Sequence, residues 1–383
     1  MRARFATVSL SLAFALASGA SGCHCDRDRE ASPAKEAPAP ARPPLSLPGT
    51  LEKARVPAVA YAAVARDRVI AVEAAGLADT ARRVEAKGTT VFEAASIAKT
   101  VIAVSVMQLV EQKKLDLDTD VSSYVGFKVA PPAAKTPVTL RHLLSHRGSI
   151  VDHLDQLQGG REQTKLGRFL ETYLAQEDAY ASTAPGTKVV YSNVGSALAA
   201  YAVERASGES FDDYSTKHVF APLRMGSTTW AAGSGGVAVP YRLADGAFVA
   251  LPQASHAIYP VVDLRSTAGD LARFAQAILR DGELDGARIL QPASVVTMLA
   301  PADDAKEEAL GWQLRRMAGR HVVGHEGEDA GASTGMFLDR ASGTAVVVLA
   351  NGDAFGSGDD ARTKAIQDLF RSLFDLLDSR DAN

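Results

Sequence analysis

The segment from Ser96 to Lys113 constrains the fold of this chain more than any other. Its central part, TVIAVSVMQLV (100–110), is apolar nearly all round, and the spacing predicts a helix over 97–113. A helix without a polar face is stable in water only where other elements enclose it. We therefore expect this helix to be central and dry.

Both ends of the folded part carry β-strand signals. Two β-prone runs, 58–65 and 69–75, flank a short connection and predict a hairpin. Near the other end, GASTGMFLDRASGTAVVVLAN (331–351) contains two more such runs around Asp339–Gly343. The later segment ARTKAIQDLFRSLFDLL (361–377) has apolar residues at helical spacing, so we expect a helix that packs on a sheet.

The residues between these ends are mostly helical in pattern. Helices are predicted over 97–113, 139–145, 166–175, 194–206 and 268–280. The fold class that follows is α/β of the α+β type. It consists of an antiparallel sheet from both chain ends, flanked by helices, with a mostly helical inserted region at about residues 96–260. A cleft at the junction of the two parts is the expected place for chemistry.

The N-terminus has the pattern of an export signal over residues 1–22. Arg2 and Arg4 precede an apolar stretch that is too short to span a bilayer comfortably, and small residues follow. Ala20, Ser21 and Gly22 before Cys23 resemble a bacterial lipobox, with Ala20 where leucine is usual. The prediction is a cell-envelope protein, lipid-anchored at Cys23 and facing the periplasm. Ordinary cleavage in the same region would instead give a soluble periplasmic protein.

Residues 23–48 are rich in Pro, Ala and charge, which indicates a stiff solvated tether before a folded domain at 49–383. Cys23 and Cys25 are the only cysteines of the chain, so the folded part has no disulfide and no thiol nucleophile. The net charge of -4, without basic clusters, gives no reason to expect nucleic acid as a partner.

Three short motifs stand out as candidate chemistry. In Ser96-x-x-Lys99 the two side chains share one helix face, and burial would turn the lysine into a usable base. The alternative is a serine N-cap followed by an incidental lysine. Tyr191 and Asn193 are two apart in a stretch expected to be extended, so they should point the same way. His325 with Gly327 forms the third motif, where the glycine would let substrate lie against a strand edge.

Together, in this order, the motifs resemble the serine β-lactamase and penicillin-binding superfamily. The resemblance covers about residues 50–378, and the Tyr-x-Asn and His-x-Gly forms place it nearest class C β-lactamases, D,D-peptidases and β-lactamase-like esterases. Other family-like stretches are LRHLLSHRGSI (140–150), APGTKVVYSNVGSALAA (184–200), RSTAGDLARFAQAIL (265–279) and GHEGEDAGASTGMFLDRASGTAVVVLAN (324–351).

The resemblance implies a β-lactamase/transpeptidase-like fold and a role for each matching residue. Ser96 would be the acylated nucleophile and Lys99 its proton acceptor. Tyr191 would move the proton to the leaving group and help to activate water, and Asn193 would orient substrate. His325 stands where many relatives have lysine, which would make the charge near the cleft pH-dependent.

The same resemblance implies an oxyanion hole made by the backbone N–H groups of Ser96 and Glu328, just after His325-Glu326-Gly327. Glu326 departs from the small residue usual in the family. A carboxylate there would repel anionic β-lactams.

Rival motifs are weaker. GASTG (331–335) fits a nucleophile elbow, but a strand-like run follows Ser333 where that motif needs a helix. HLLSH (142–146) has Leu143 where a metalloprotease needs glutamate, so we expect a structural segment and no metal site. DHLD (152–155) has the pattern of a solvated turn or helix face.

The sequence thus predicts an exported serine hydrolase that works through an acyl-enzyme and needs no cofactor. The expected partner is a small-molecule or peptidoglycan-like substrate: a small ester, a D-amino-acid peptide or a β-lactam. An ester or peptide is favoured over a β-lactam because of Glu326 and because no dedicated deacylating glutamate is identifiable. The alternative is a penicillin-binding sensor or scaffold domain that acylates without turnover.

Overall fold

A seven-stranded antiparallel sheet joins the two ends of the folded part. The computed structural model describes residues 45–381 except 133, 158–159, 161–163, 232–235, 254 and 303–305. The predicted signal peptide, Cys23 and nearly all of the predicted tether lie outside the described residues.

The strands are β1 (Ala58–Ala65), β2 (Val69–Asp79), β3 (Val84–Glu85), β4 (Phe92–Glu93), β5 (Tyr241–Ala244), β6 (Ala247–Ala250), β7 (Arg265–Ser266), β8 (Glu283–Leu284), β9 (Ala287–Arg288), β10 (Gln313–Met317), β11 (Arg320–Asp329), β12 (Ala332–Asp339) and β13 (Thr344–Ala350). The large sheet has the order β10-β11-β12-β13-β1-β2-β3. First and last strands meet at its centre, where Tyr61 lies opposite Val348. The predicted sheet from both chain ends is confirmed.

The central strands are buried on both faces, and their side chains alternate between two cores. Along β1, Ala58, Ala60, Ala62 and Val64 belong to the core on one face, and Val59, Tyr61 and Ala63 to the core on the other. This explains why β1 and β13 are apolar without interruption. Strands with two covered faces need no polar side.

The helices are α1 (Leu47–Ala54), α2 (Ala98–Glu111), α3 (Ser122–Val125), α4 (Leu140–Leu144), α5 (Leu166–Leu174), α6 (Asn193–Ser207), α7 (Phe211–Ser215), α8 (Ala268–Leu279), α9 (Pro292–Leu299) and α10 (Asp360–Asp381). All residues of α2 from Ala98 to Leu109 are buried, as the pattern of its sequence requires. Helices α6 and α9 pack against it, α8 covers one face of the sheet, and α10 covers the other together with α1.

The structure contains elements that the sequence did not predict, among them α1, α9 and two strands of the large sheet. Helix α1 begins at Leu47, inside the predicted tether, because the Ser46 hydroxyl caps it by accepting from the Gly49 N–H at 3.1 Å. Strands β10 and β11 were not predicted. Charged and glycine residues interrupt their alternation, and β10 is the edge strand of the sheet, where charged residues are common.

Within the described ranges, no helix combines the length and the hydropathy that crossing a membrane requires.

Candidate active site

Ser96 lies in a strained turn just before α2. Ala95 has φ +47°, in the left-handed region that residues with a Cβ rarely adopt. A short 3-10 helix, Ala95–Ile97, then leads directly into α2. No side chain caps either helix, so the reading of Ser96 as an N-cap is wrong.

Lys99 lies one turn after Ser96 and points back toward it. Its Nζ is 2.8 Å from Ser96 Oγ, 2.8 Å from Asn193 Oδ1 and 3.4 Å from the Val261 carbonyl oxygen. The side chain is 1% exposed. The lysine is thus fixed by oxygen atoms from three separate parts of the chain.

Tyr191 completes a hydrogen-bonded group around the serine. Its hydroxyl is 3.1 Å from Ser96 Oγ, and Lys99 Nζ lies 5.1 Å from the centre of its ring. The His146 ring packs against the Tyr191 ring, with ring centres 4.2 Å apart. The tyrosine is 42% exposed, so one side of the phenol faces the cleft that Ser96 also lines.

Asn193 reaches the site from the first turn of α6. Sequence analysis placed it in an extended stretch, but the extended part ends at Ser192, which caps the helix by accepting from the Gly195 N–H. Asp152 fixes this junction, because its carboxylate accepts from Ser192 Oγ at 2.8 Å, from Asn193 N at 2.6 Å and from Val194 N at 3.1 Å.

The reading of 152–155 as a solvated turn or helix face is therefore wrong for Asp152. A carboxylate at a helix N-terminus satisfies N–H groups that have no partner within the helix. No local pattern reveals this partner, since Asp152 and Asn193 are 41 positions apart.

His325 is buried beside the same group, at 2% exposure. Its Nδ1 lies within hydrogen-bond distance of the Glu326 carbonyl oxygen. A carbonyl only accepts, so Nδ1 carries the proton and Nε2 is left as an acceptor. Burial lowers the pKa of His325 well below its usual value, and the neighbouring Lys99 lowers it further. The expected pH-dependent charge at this position is not found, because the imidazole stays neutral.

Gly327 is required by the packing of the protein itself. A Cβ at this position would lie 2.2 Å from Thr334 Oγ1, 2.7 Å from the Ala94 carbonyl oxygen and 3.2 Å from Ser96 N. Strand β11 therefore crosses directly over the turn that carries the serine. We expected the glycine to make room for substrate. In the structure it makes room for the nucleophile's own backbone.

Ser96, Tyr191, Asn193 and His325 line one cleft of about 800 Å³. Its described lining is Ser96, Leu154, Leu157, Tyr191, Asn193, His256, Ile258, Val262, Gln313, His325, Glu326, Glu328, Asp329, Ala330, Asp353, Phe355, Gly356, Thr363 and Gln367. The cleft lies where β11 meets the helical region, as the sequence predicted for a binding site. No cluster of three or more His, Cys, Asp or Glu in the described part of the chain has the arrangement of a metal site.

A histidine–aspartate pair in this cleft was missed by sequence analysis. His256 Nδ1 is 2.6 Å from Asp263 Oδ1, and the His256 N–H donates to the other carboxylate oxygen at 2.9 Å. Asp263 is fully buried, and its hydrogen bond raises the pKa of His256. The i, i+7 spacing in an irregular loop carries no signal that would have identified the pair.

The rival motifs have structural roles. Ser333 is buried in β12, where its hydroxyl donates to the Gly352 carbonyl at 2.8 Å and accepts from Phe355 N at 3.0 Å. His146 accepts from Ser192 N at 3.2 Å. Neither side chain is arranged as an exposed nucleophile or a metal ligand.

Acid is expected to destabilise the fold through His146. Burial and the nearby Lys99 lower its pKa from 6.5 to about 3. Between pH 6.5 and about 3, the unfolded chain carries a proton on this imidazole and the folded chain does not. The free energy of unfolding therefore falls as pH falls through this range. The free energy of unfolding should decrease by about 1.4 kcal/mol per pH unit for this residue.

Urea unfolding at pH 6, 5 and 4 measures this slope. In His146→Asn the amide oxygen lies near the position of Nδ1, so it can accept from Ser192 N but does not titrate, and the slope should become shallower by about that amount. The exposed His321→Asn variant is the control and should keep the parent slope. An unchanged slope in His146→Asn would contradict the assignment.

Comparisons with known proteins agree with this architecture. The family model described as Beta-lactamase matches residues 45–370. Penicillin-binding protein 4 of Amycolatopsis lactamdurans is 30% identical over 308 residues, which span 74% of this chain and 76% of that protein.

Two solved structures show the same fold. The octameric penicillin-binding protein homologue from Pyrococcus abyssi superposes with a TM-score of 0.71 at 22% identity, over 80% of this chain and 72% of that chain. The D-amino acid amidase from Ochrobactrum anthropi SV3 gives a TM-score of 0.69 at 21% identity, over 87% of this chain and 97% of that chain. The predicted β-lactamase/transpeptidase-like fold class is confirmed.

Proposed function

This chain belongs to the beta-lactamase family of serine hydrolases, and we propose that it is an exported enzyme that forms an acyl-enzyme on Ser96. The observation that carries the proposal is the hydrogen-bonded group in which Ser96 Oγ lies 2.8 Å from Lys99 Nζ and 3.1 Å from the Tyr191 hydroxyl. A nucleophile next to a base, with a third group orienting both, is the arrangement that acyl transfer needs.

The geometry supports a path for the proton. Carbonyl oxygens only accept, so Lys99 donates N–H bonds toward Asn193 Oδ1 and Val261 O. A neutral amine would then direct its lone pair at the Ser96 hydroxyl. As Oγ bonds to the substrate carbonyl carbon, its proton moves to Lys99 Nζ.

Tyr191 then serves the second half of the reaction. Its hydroxyl contacts Ser96 Oγ and faces the cleft, so it can pass its proton to the leaving oxygen or nitrogen as that bond breaks, and the phenolate then takes the proton that Lys99 received from Ser96. In the second step a water oxygen bonds to the acyl carbon and gives a proton to Tyr191. The bond between Ser96 Oγ and the acyl carbon then breaks, the acid leaves, and Oγ takes up that proton.

Developing negative charge on the carbonyl oxygen would be stabilised by the backbone N–H groups of Ser96 and Glu328. Two observations support this pair. Gly327 lies against Ser96 N. The Glu326 N–H donates to Gln313 Oε1, so it points to the side of β11 that faces β10. In a strand, the N–H groups of residues two apart point the same way, so the Glu328 N–H also points to that side. Glu328 lies beyond the end of β10.

For the substrate we propose a small ester or a D-amino-acid peptide ahead of a β-lactam. The similar proteins include a penicillin-binding protein and a D-amino acid amidase, and Glu326 at the cleft disfavours anionic β-lactams. Export rests on the signal at residues 1–22, and lipid anchoring rests on Cys23.

The test combines turnover with mass spectrometry. The protein is incubated with p-nitrophenyl butyrate, nitrocefin and a fluorescent penicillin, beside Ser96→Ala. We expect ester turnover, a transient acyl adduct on the peptide that contains Ser96, and neither in the variant. Ester turnover that persists in Ser96→Ala would overturn the proposal. A stable penicillin adduct without any turnover would instead favour the sensor or scaffold function.

A further inference from the structure

One wall of the cleft is acidic. Strand β11 contributes Glu326, Glu328 and Asp329, all of which line the cleft with Ser96. We call these three residues the acidic wall. In the described part of the chain, no lysine or arginine is among the residues that line the cleft.

Among the described residues, no ion pair joins any of the three carboxylates of the acidic wall to a lysine or arginine. The charges of Arg315 and His256 act on Glu326 and Asp329 without such a contact. A fourth lining carboxylate, Asp353, differs in this respect because Arg362 binds it at 2.8 Å. The one cationic candidate on the lining, His256, is paired with Asp263.

Two partly buried acids, Glu93 and Glu326, have raised pKa values, and burial is the largest cause of both shifts. Burial raises the pKa of Glu93 to about 8, and the charge of Asp329 contributes to the rise. Burial also raises the pKa of Glu326, with Arg315 opposing and Glu328 adding to the effect.

The position at which many relatives have lysine holds no cation in this chain. His325 is neutral, and its Nε2 is a buried acceptor without a hydrogen-bond partner in the described structure. A substrate carboxylate beside it would meet an acceptor instead of a donor. Lys99 is close, but its Nζ is engaged with Ser96, Asn193 and Val261.

The lining of the cleft also contains apolar side chains. They are Leu154, Leu157, Ile258 and Val262, and Leu154 is 68% exposed. Apolar side chains in a cleft can contact an apolar part of a ligand.

We propose that the cleft selects acyl substrates that carry a positively charged amine together with an apolar group, and discriminates against substrates that carry a carboxylate. The inference rests on the proposed acyl-enzyme function and names its substrate class. Glu328 is exposed and lines the cleft near Gly356, where an added Cβ would lie 2.4 Å from Glu328 Oε1. Its carboxylate is therefore accessible to an ammonium group that enters the cleft.

The experiment compares three p-nitrophenyl esters of similar size. One acyl group is trimethylammonio-butyrate, the second is its uncharged tert-butyl isostere, and the third is adipate with a free carboxylate. We expect kcat/KM to fall in that order, by about tenfold at each step in low salt. Higher ionic strength should reduce the differences, because screening acts on charge and not on shape.

Variants assign the effect to the acidic wall. Glu328→Gln should lower the ratio of kcat/KM for the ammonium ester to that for the isostere by about threefold or more. The control Glu85→Gln neutralises an exposed carboxylate on β3 and should keep the parent ratio. Equal kcat/KM for all three esters, or the fastest reaction with adipate, overturns the proposal.

Intact-protein mass spectrometry follows acyl transfer from the same esters, so the order of charge preference is also measured if turnover is slow. The two proposals fail in different ways. If none of the esters acylates or is hydrolysed, the acyl-enzyme function fails and the substrate class fails with it. If all react through Ser96 without a preference for positive charge, only the inferred substrate class fails.

Discussion

Replacement of Lys99 by methionine is expected to lower kcat for ester hydrolysis by about 10²–10⁴-fold, the range that a positioned general base contributes. Nζ is 2.8 Å from Ser96 Oγ, and no other amine lies within hydrogen-bond distance of that oxygen in the described structure. Methionine fills a similar volume without a proton acceptor. It also removes an amine that is 1% exposed, so we expect the thermal midpoint to stay at or above that of the parent protein.

Steady-state kinetics with p-nitrophenyl butyrate and a thermal melt measure both effects. Lys114→Met is the matched control, because Lys114 is exposed just after α2, and it should keep the parent kcat. A Lys99→Met protein that is folded and retains more than a tenth of the parent kcat would exclude this lysine as the base. The combination of lost activity and kept stability separates a catalytic role from a structural one.

Replacement of Asp152 by alanine is expected to lower both stability and activity. Its carboxylate accepts three hydrogen bonds at the start of α6, from Ser192 Oγ, Asn193 N and Val194 N. Hydrogen bonds to charged groups contribute about 1.5–3 kcal/mol each and are not additive. The free energy of unfolding should therefore fall by about 2–4 kcal/mol.

Activity should fall because the same junction holds Tyr191 and Asn193. We expect kcat/KM for p-nitrophenyl butyrate to drop by more than about tenfold, since small displacements of catalytic groups are costly. Asp155→Ala, an exposed neighbour in the same segment, is the control for local charge and should behave like the parent. Asp152→Asn, which retains one acceptor oxygen, should lie between the parent and Asp152→Ala in both measurements. Parent-like stability in Asp152→Ala would exclude the capping role.

Much of the scaffold follows from short-range patterns. The strand pairs at both chain ends were predicted within a few residues, because alternating burial on two faces requires continuous apolar runs. Helix α2 was predicted for a similar reason. Strands β10 and β11 were missed, since Arg315, Arg316 and the glycines of β11 interrupt the pattern that identifies a strand.

The residues of the candidate site also differ in how far they could be predicted from short-range patterns. Ser96 and Lys99 are three positions apart on one helical stretch, so their meeting follows from helix geometry alone. Tyr191 lies 95 positions from Ser96, and its motif could be recognised in the sequence although its contact could not be derived. Asp152 and the His256–Asp263 pair have no local signature, and they were missed.

The sequence by itself determined the buried helix, the two-faced central strands and the serine–lysine pair, because each depends on residues within a turn or a strand of one another. Only the tertiary structure decided that His325 is a neutral acceptor, that Gly327 makes room for the backbone at Ala94 and Ser96, and that β11 lines the cleft with carboxylates. The physical reason is that burial, close approach and local electrostatic potential depend on segments distant in the chain, which sequence spacing does not specify.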